Sequence, residues 1–179
     1  KIEDLSKLHK LHTIDLSLGG MLSYNSIKTL NIKKFTMNAS YFCTLVGPYV
    51  HNLKNLEELK ISFDYRRGIL YYNEQQYIDN LVSLNNLKIL NVQRNYVNDL
   101  NKFTNLIELN VKECFRVTDK SIHDLIGLQK LNVSRTDVSN INHLINLKKL
   151  SISHTMITNI DNLINLTELN ARCSPLENM

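Results

Sequence analysis

Apolar residues recur along this chain in one short phrase: an aliphatic residue, two polar positions, a second aliphatic, one polar position and a third aliphatic. The phrase reads LQKLNV at 128–133, LKKLSI at 147–152 and LTELNA at 166–171. Near variants are LHTIDL (11–16), IKTLNI (27–32), LEELKI (56–61), LKILNV (87–92) and LIELNV (106–111). The alternation at the end of each phrase has the period of a strand, with one side chain pointing in and the next out. One strand per repeat, stacked on its neighbours, predicts a solenoid with a continuous core and a curved parallel sheet on its concave side.

Spacing between phrases reports what closes each turn. With the fourth position as register mark, the marks fall at Ile14, Leu30, Leu59, Leu90, Leu109, Leu131, Leu150 and Leu169, at intervals of 16, 29, 31, 19, 22, 19 and 19 residues. Intervals of 19 leave room for an extended or 3-10 return, whereas 29 and 31 admit a full helix. Residues 39–52 carry Phe42, Leu45, Val46, Tyr49 and Val50 at helical spacing, with Ser40 as N-cap and Gly47-Pro48 kinking or ending the helix. Residues 73–84 place Tyr77, Ile78, Leu81, Val82 and Leu84 on one side behind Asn73 as cap. The segment 64–74, DYRRGILYYNE, is then an exposed loop.

These phrases resemble the leucine-rich repeat superfamily over nearly all 179 residues. The resemblance implies an α/β solenoid, with helices and 3-10 or extended turns on the convex side. Residues 106–128 resemble the cysteine-containing subclass, matched at Cys114, Val117, Thr118, Asp119, Ile122 and Leu125. That subclass is familiar from substrate receptors of ubiquitin ligases. Residues 133–150, VSRTDVSNINHLINLKKL, are similar to the short repeats of bacterial internalins. Cys114 stands where Asn95, Thr136, Thr155 and Ser174 stand in other repeats, which reads as a structural position that satisfies amides leaving the strand ladder. Thr118 and Asp119 read as the cap of a short convex helix at 119–125.

The outward strand positions form columns. One contains Asp15, Asn31, Lys60, Asn91, Asn110, Asn132, Ser151 and Asn170, and its many Asn residues suggest an amide ladder along the sheet, or a polar floor for a partner. Flanking columns contain Thr13, Thr29, Glu58, Ile89, Glu108, Lys130, Lys149 and Glu168, then Ser17, Lys33, Ser62, Gln93, Lys112, Ser134, Ser153 and Arg172. An edge column adds Leu18, Lys34, Phe63, Arg94, Glu113, Arg135, His154 and Cys173. The four columns hold more Lys and Arg than Asp and Glu, so the concave face is expected to be modestly basic and to suit an acidic or phosphorylated protein. The expected contact residues there are Lys60, Arg94, Asn110, Lys112, Lys130, Asn132, Arg135, Lys149, His154 and Arg172. Tyr65, Arg66, Arg67, Tyr71 and Tyr72 in the 64–74 loop form a second expected contact set, because Tyr and Arg dominate interface hot spots.

Composition changes this picture little. A net charge of +4 with interspersed acids and no aromatic row is a weak case for nucleic acid. No apolar run spans a bilayer. Three cysteines without a paired motif argue against structural zinc or a disulfide framework and favour a reducing, intracellular compartment. No phosphate loop, zinc-protease motif or nucleophile elbow occurs, and His154 beside Cys173 lacks an orienting third group. No cofactor is expected. The expected role is a non-catalytic scaffold for protein–protein interaction, one domain over 1–179. A ligase substrate receptor and a pathogen or viral surface or effector protein are the alternatives, with nucleic acid behind them. Both ends break off in repeat-like sequence, which suggests a piece of a longer array, or self-association through uncapped ends.

Overall fold

A computed structural model describes residues 5, 7–17, 26, 30–38, 47–62 and 78–176. Packing divides the chain into two compact units, Lys1–Leu87 and Lys88–Met179. The first contains β1 (Thr13–Leu16), β2 (Lys34–Asn38) and β3 (Glu58–Ser62), all parallel, with Ile14 beside Phe35 and Phe35 beside Leu59. The second contains β4 (Ile89–Asn91), β5 (Glu108–Asn110), β6 (Lys130–Asn132), β7 (Lys149–Ser151) and β8 (Glu168–Asn170). These too are parallel, and Leu90, Leu109, Leu131, Leu150 and Leu169 stand side by side. The inward positions stack into a core in which Leu90, Val92, Val111, Val133 and Ile152 are completely buried. Each unit is thus the parallel solenoid that the repeated phrase predicts.

The second strand is displaced from IKTLNI. It forms five residues later, from Ile32-Lys33-Lys34-Phe35-Thr36-Met37, which is the same phrase written with Phe and Met. Ile32, Phe35 and Met37 are no more than 1% exposed, whereas Leu30 is only half-buried. Both frames satisfy the periodicity, and the frame that buries the two larger side chains wins. Its register mark is therefore Phe35, and the flanking intervals become 21 and 24 residues. Lys34, Thr36 and Asn38 replace Thr29, Asn31 and Lys33 as the column residues of this repeat.

Among the described residues, the returns after β4 to β7 are built from single turns. Among the described residues, 3-10 helix occurs at Gly47–Asn52, Asn80–Ser83 and Asp119–Ser121. Residues 39–46 and 73–77 of the two expected helices lie outside the described residues. Gly47-Pro48 opens a 3-10 helix, a position where Pro lacks no needed donor. The helix expected over 119–125 is also corrected: one 3-10 turn is followed by i to i−3 bonds from Leu125 N to Ile122 O and from Leu128 N to Leu125 O. The same bonds run through Leu100-Phe103-Leu106, Ile141-Leu144-Leu147 and Ile160-Leu163-Leu166, at 2.9–3.1 Å. Three residues per turn eclipse every third side chain, so an apolar residue at every third position keeps one edge of the return against the core.

Candidate functional site: the open sheet face and its rim

The floor of the open face in the second unit is polar and internally braced. Asn91 Oδ1 accepts the amide of Gln93 (3.2 Å), Asn110 Oδ1 that of Lys112 (3.0 Å) and Asn132 Oδ1 that of Ser134 (3.1 Å). Asp15 does the same for Ser17 at 2.8 Å in the first unit. These hydrogen bonds hold its carboxyl below the usual carboxylate range, with Lys60 adding to the effect. Each side chain thus bonds the backbone two residues on, as Asn and Asp do in turns. The amide ladder read from the sequence is therefore replaced by a row of local bonds, and Asn170 Oδ1 also accepts from Ser153 Oγ, in the flanking column of the preceding repeat, at 2.9 Å. The amide nitrogens of Asn91, Asn110 and Asn132 have no intramolecular partner among the described residues and stand as donors on the face. Asn110, Asn132, Ser151 and Asn170, with Glu108, Lys130, Lys149 and Glu168, line a shallow groove of ≈ 410 Å³.

Pairing between neighbouring strands decides where the charge counted from the sequence is felt. Lys130 Nζ lies 3.1 Å from Glu108 and Lys149 Nζ 2.5 Å from Glu168, so this column is four charges in two pairs. Arg94 Nε lies 2.9 Å from Glu113, and Lys112 is 3.8 Å from the same carboxylate. In the first unit Glu58 pairs with Lys60 at 2.5 Å and Lys34 at 3.0 Å, which holds its carboxyl below the ordinary value despite some burial. The columns keep their excess of cations over acids, but the pairs bring the groove floor near neutrality and leave the excess toward the rim. Among the described residues, Arg135 and Arg172 are the cations of the second unit's columns that have no acid within ion-pair distance, and both stand toward the C-terminal ends of the strands. Such exposed pairs contribute little stability, so their effect is on the field rather than the fold.

The rim at that end has a fixed backbone. Arg94, Glu113, Arg135, His154 and Cys173 occupy equivalent positions in five successive repeats, and all have positive φ, between 55° and 65°. A left-handed non-glycine residue is unfavourable by roughly 1–2 kcal/mol and persists only where neighbours enforce it. The enforcement is visible. Arg135 N donates to Ser153 O, His154 N to Arg172 O, and the next side chain clamps the turn. Thr136 Oγ1 donates to Val133 O (2.6 Å), Thr155 Oγ1 to Ile152 O (2.7 Å) and Asn95 Nδ2 to Val92 O (2.9 Å). Cys114 Sγ, wholly buried, is 3.0 Å from Val92 O. These side chains chiefly serve carbonyls, not the amides anticipated from the sequence, and at Val92 and Ile152 they add to the backbone bonds from Asn95 N and Thr155 N.

The expected contact residues accordingly divide. Asn110, Lys112, Lys130, Asn132 and Lys149 lie on the floor of one unit, with Arg94, Arg135, His154 and Arg172 on or beside its rim. Lys60 belongs to the other unit, and Tyr65, Arg66, Arg67, Tyr71 and Tyr72 lie outside the described residues. Arg135 Nη2 approaches His154 Nε2 at 3.5 Å. Cys173 is exposed and follows His154 in the rim row. Phe115 and Met156, 59% and 72% exposed, occupy equivalent rim positions two residues beyond Glu113 and His154. Sequence reasoning missed them, although both fall six residues past a register mark, a position that the repeat leaves outside the core.

On the opposite edge, His123 and His143 stack with centroids 4.7 Å apart, and His143 Nε2 is 3.0 Å from His123 O. Burial and then the neighbouring imidazole push His143 below its ordinary pKa. Asp119 accepts Ser139 N, Ser139 Oγ and Asn140 N at 2.7–3.0 Å, so it caps the following repeat rather than a helix of its own. Its burial opposes ionisation, but these bonds outweigh it and hold the carboxyl low. Among the described residues, no group of three His, Cys, Asp or Glu is placed to hold a metal, and no helix is long and apolar enough to cross a membrane.

No family model and no curated protein matches the chain. Solved structures do match. An internalin (InlF) from Listeria monocytogenes has a TM-score of 0.67 at 23% identity, covering 100% of this chain and 52% of its own. Internalin C2 from the same organism has a TM-score of 0.65 at 17% identity, covering 94% of this chain and 73% of its own. A leucine-rich repeat protein of Leptospira interrogans has a TM-score of 0.59 at 16% identity, covering 96% of this chain and 57% of its own. The chain therefore has the leucine-rich repeat fold, and it spans about half the length of InlF.

Proposed function

We propose that this leucine-rich repeat chain is a non-catalytic scaffold that binds a protein through the open face of its second unit. The observation that carries the reading is the floor itself. Asn91, Asn110 and Asn132 are fixed through their oxygens and present their amide nitrogens outward, one per strand, between charge pairs that cancel. Donors held in place before contact lose little entropy when a partner arrives. A near-neutral polar floor also avoids the large desolvation of unpaired charge on binding.

The test keeps the brace and reverses the outward group. Asn110→Asp with Asn132→Asp retains the Oδ1 acceptor for Lys112 N and Ser134 N but replaces each donor nitrogen with a carboxylate oxygen. Native chain and variant, matched for circular dichroism and melting, are used as baits in lysate and the retained proteins are identified by mass spectrometry. A protein retained by the native chain and lost with the variant supports the reading. Equal retention by both, or nothing retained by either, overturns it.

A further inference from the structure

We propose that the rim of the second unit, at the C-terminal ends of β6–β8, recognises an acidic protein segment in which carboxylates alternate with apolar side chains; this deepens the protein-binding reading and rests on it. Three observations meet there. The first is charge that the fold leaves unspent. Every acid in the sheet columns of this unit already has a cation: Glu108 has Lys130, Glu113 has Arg94 and Glu168 has Lys149. Among the described residues no acid pairs with Arg135 or Arg172, and the two stand two repeats apart, about 10 Å at the usual strand spacing.

The second is the contact that Arg135 makes instead. Its Nη2 lies 3.5 Å from His154 Nε2, so two nitrogen groups face each other with no anion between them. A carboxylate entering here would meet a guanidinium fork, which binds carboxylates in two parallel bonds, together with an imidazole. Both residues sit on backbone fixed at φ 57°, so the side chains start from a defined place. Arg94 is the internal contrast, because the same rim position there is already closed by Glu113 at 2.9 Å.

The third is apolar. Phe115 and Met156, in the repeats before and after Arg135, are 59% and 72% exposed. Asp137 occupies the position between them, so apolar contacts fall on either side of it and the partner's carboxylates fall toward Arg135 and Arg172. Arg, Met and aromatic residues are the types enriched in protein interfaces. Nucleic acid would ask for successive open stacking faces, and the rim row runs Tyr96, Phe115, Asp137 and Met156, with the guanidinium of Arg116 already over the Tyr96 ring at 5.5 Å.

The test is NMR on isotope-labelled native chain. The probe is a synthetic peptide alternating Glu with Leu and Phe, beside its Gln counterpart, inorganic phosphate and oligo-dT. The expected result is that the Glu peptide moves the Nε–Hε signals of Arg135 and Arg172, the Phe115 ring and the Met156 methyl, and leaves Arg94 nearly still. The Gln peptide and phosphate should bind at least about tenfold more weakly, the loss of one hot-spot contact. Arg135→Gln with Arg172→Gln should weaken the Glu peptide by at least the same factor. An equal response to phosphate or oligo-dT, or no response to the Glu peptide, overturns the proposal. Shifts confined to the side-chain amides of Asn110 and Asn132 overturn it while leaving the scaffold reading intact. The lysate capture tests that reading separately, because its variant alters the floor and not the rim.

Discussion

Gly127→Asn should stabilise the protein, because it restores a bond that one repeat lacks. Four residues before each register mark, an Asn side chain reaches the preceding repeat. Asn86 Nδ2 donates to Lys54 O, Asn146 to Ile126 O and Asn165 to Ile145 O, each at 2.9 Å. The sixth repeat has Gly127 there, and the carbonyl in the matching place is that of Thr104. A Cβ built on Gly127 would lie 3.7 Å from Thr104 O and 3.7 Å from Leu106 O, ordinary contact. An Asn side chain therefore fits and can donate to Thr104 O. An exposed hydrogen bond contributes about 0.5–1 kcal/mol net. Removing glycine freedom from the unfolded chain adds about 0.4–1 kcal/mol. Ordering the new side chain offsets part of both, which leaves about 1 kcal/mol, or roughly 2–4 °C in melting temperature for a chain of this size. Urea and thermal unfolding of Gly127→Asn, Gly127→Ala and the native chain separate the contributions, since Ala supplies the backbone effect alone. If Gly127→Asn is no more stable than Gly127→Ala, the ladder bond contributes nothing and the argument fails.

Other consequences are equally direct. His143 is held below its ordinary pKa in the folded chain, so the unfolded chain takes up the proton first, and stability should fall as pH drops below about 6.5 and level off beneath the folded pKa. His143→Gln should flatten that slope in urea titrations across the window, and an unchanged slope would assign it elsewhere. Asp119→Ala, which strips a carboxylate from Ser139 and Asn140, should destabilise by about 1–2 kcal/mol, with a loss confined to pH above the carboxylate range. At position 114 a hydroxyl can replace the thiol bond to Val92 O of the preceding repeat, or reach Val111 O as Thr136 and Thr155 reach the carbonyl three residues before them, so Cys114→Ser should melt above Cys114→Ala. In a Cys43→Ser background, a thiol reagent should modify exposed Cys173 in the native state and Cys114 only on unfolding.

The sequence by itself determined the parallel solenoid, because the Leu-x-x-Leu-x-Leu phrase encodes both the strand period and the stacking contact, and burial then requires neighbours in register. It determined seven of the eight strand positions for the same reason. Tertiary structure decided the remaining one. IKTLNI and IKKFTM carry the same local pattern, and only the volume of Phe35 and Met37 against β1 and β3 separates them. The return segments were legible as short, yet their 3-10 geometry depends on which third residue finds the core. The candidate site was legible as a set of columns and illegible as a surface. The net charge of the columns could be added up from the sequence, but which cations meet an acid is a property of adjacent repeats at about 4.8 Å: Lys130, Lys149 and Arg94 find Glu108, Glu168 and Glu113, and the surplus is left at the rim. The Asn column was visible in the sequence, whereas the direction of its bonds was not, since an Asn oxygen can serve its own strand or its neighbour and only the backbone geometry chooses. Phe115, Met156 and the absence of an acid beside Arg135 and Arg172 among the described residues emerge last, because exposure and pairing are fixed only when every other side chain is in place.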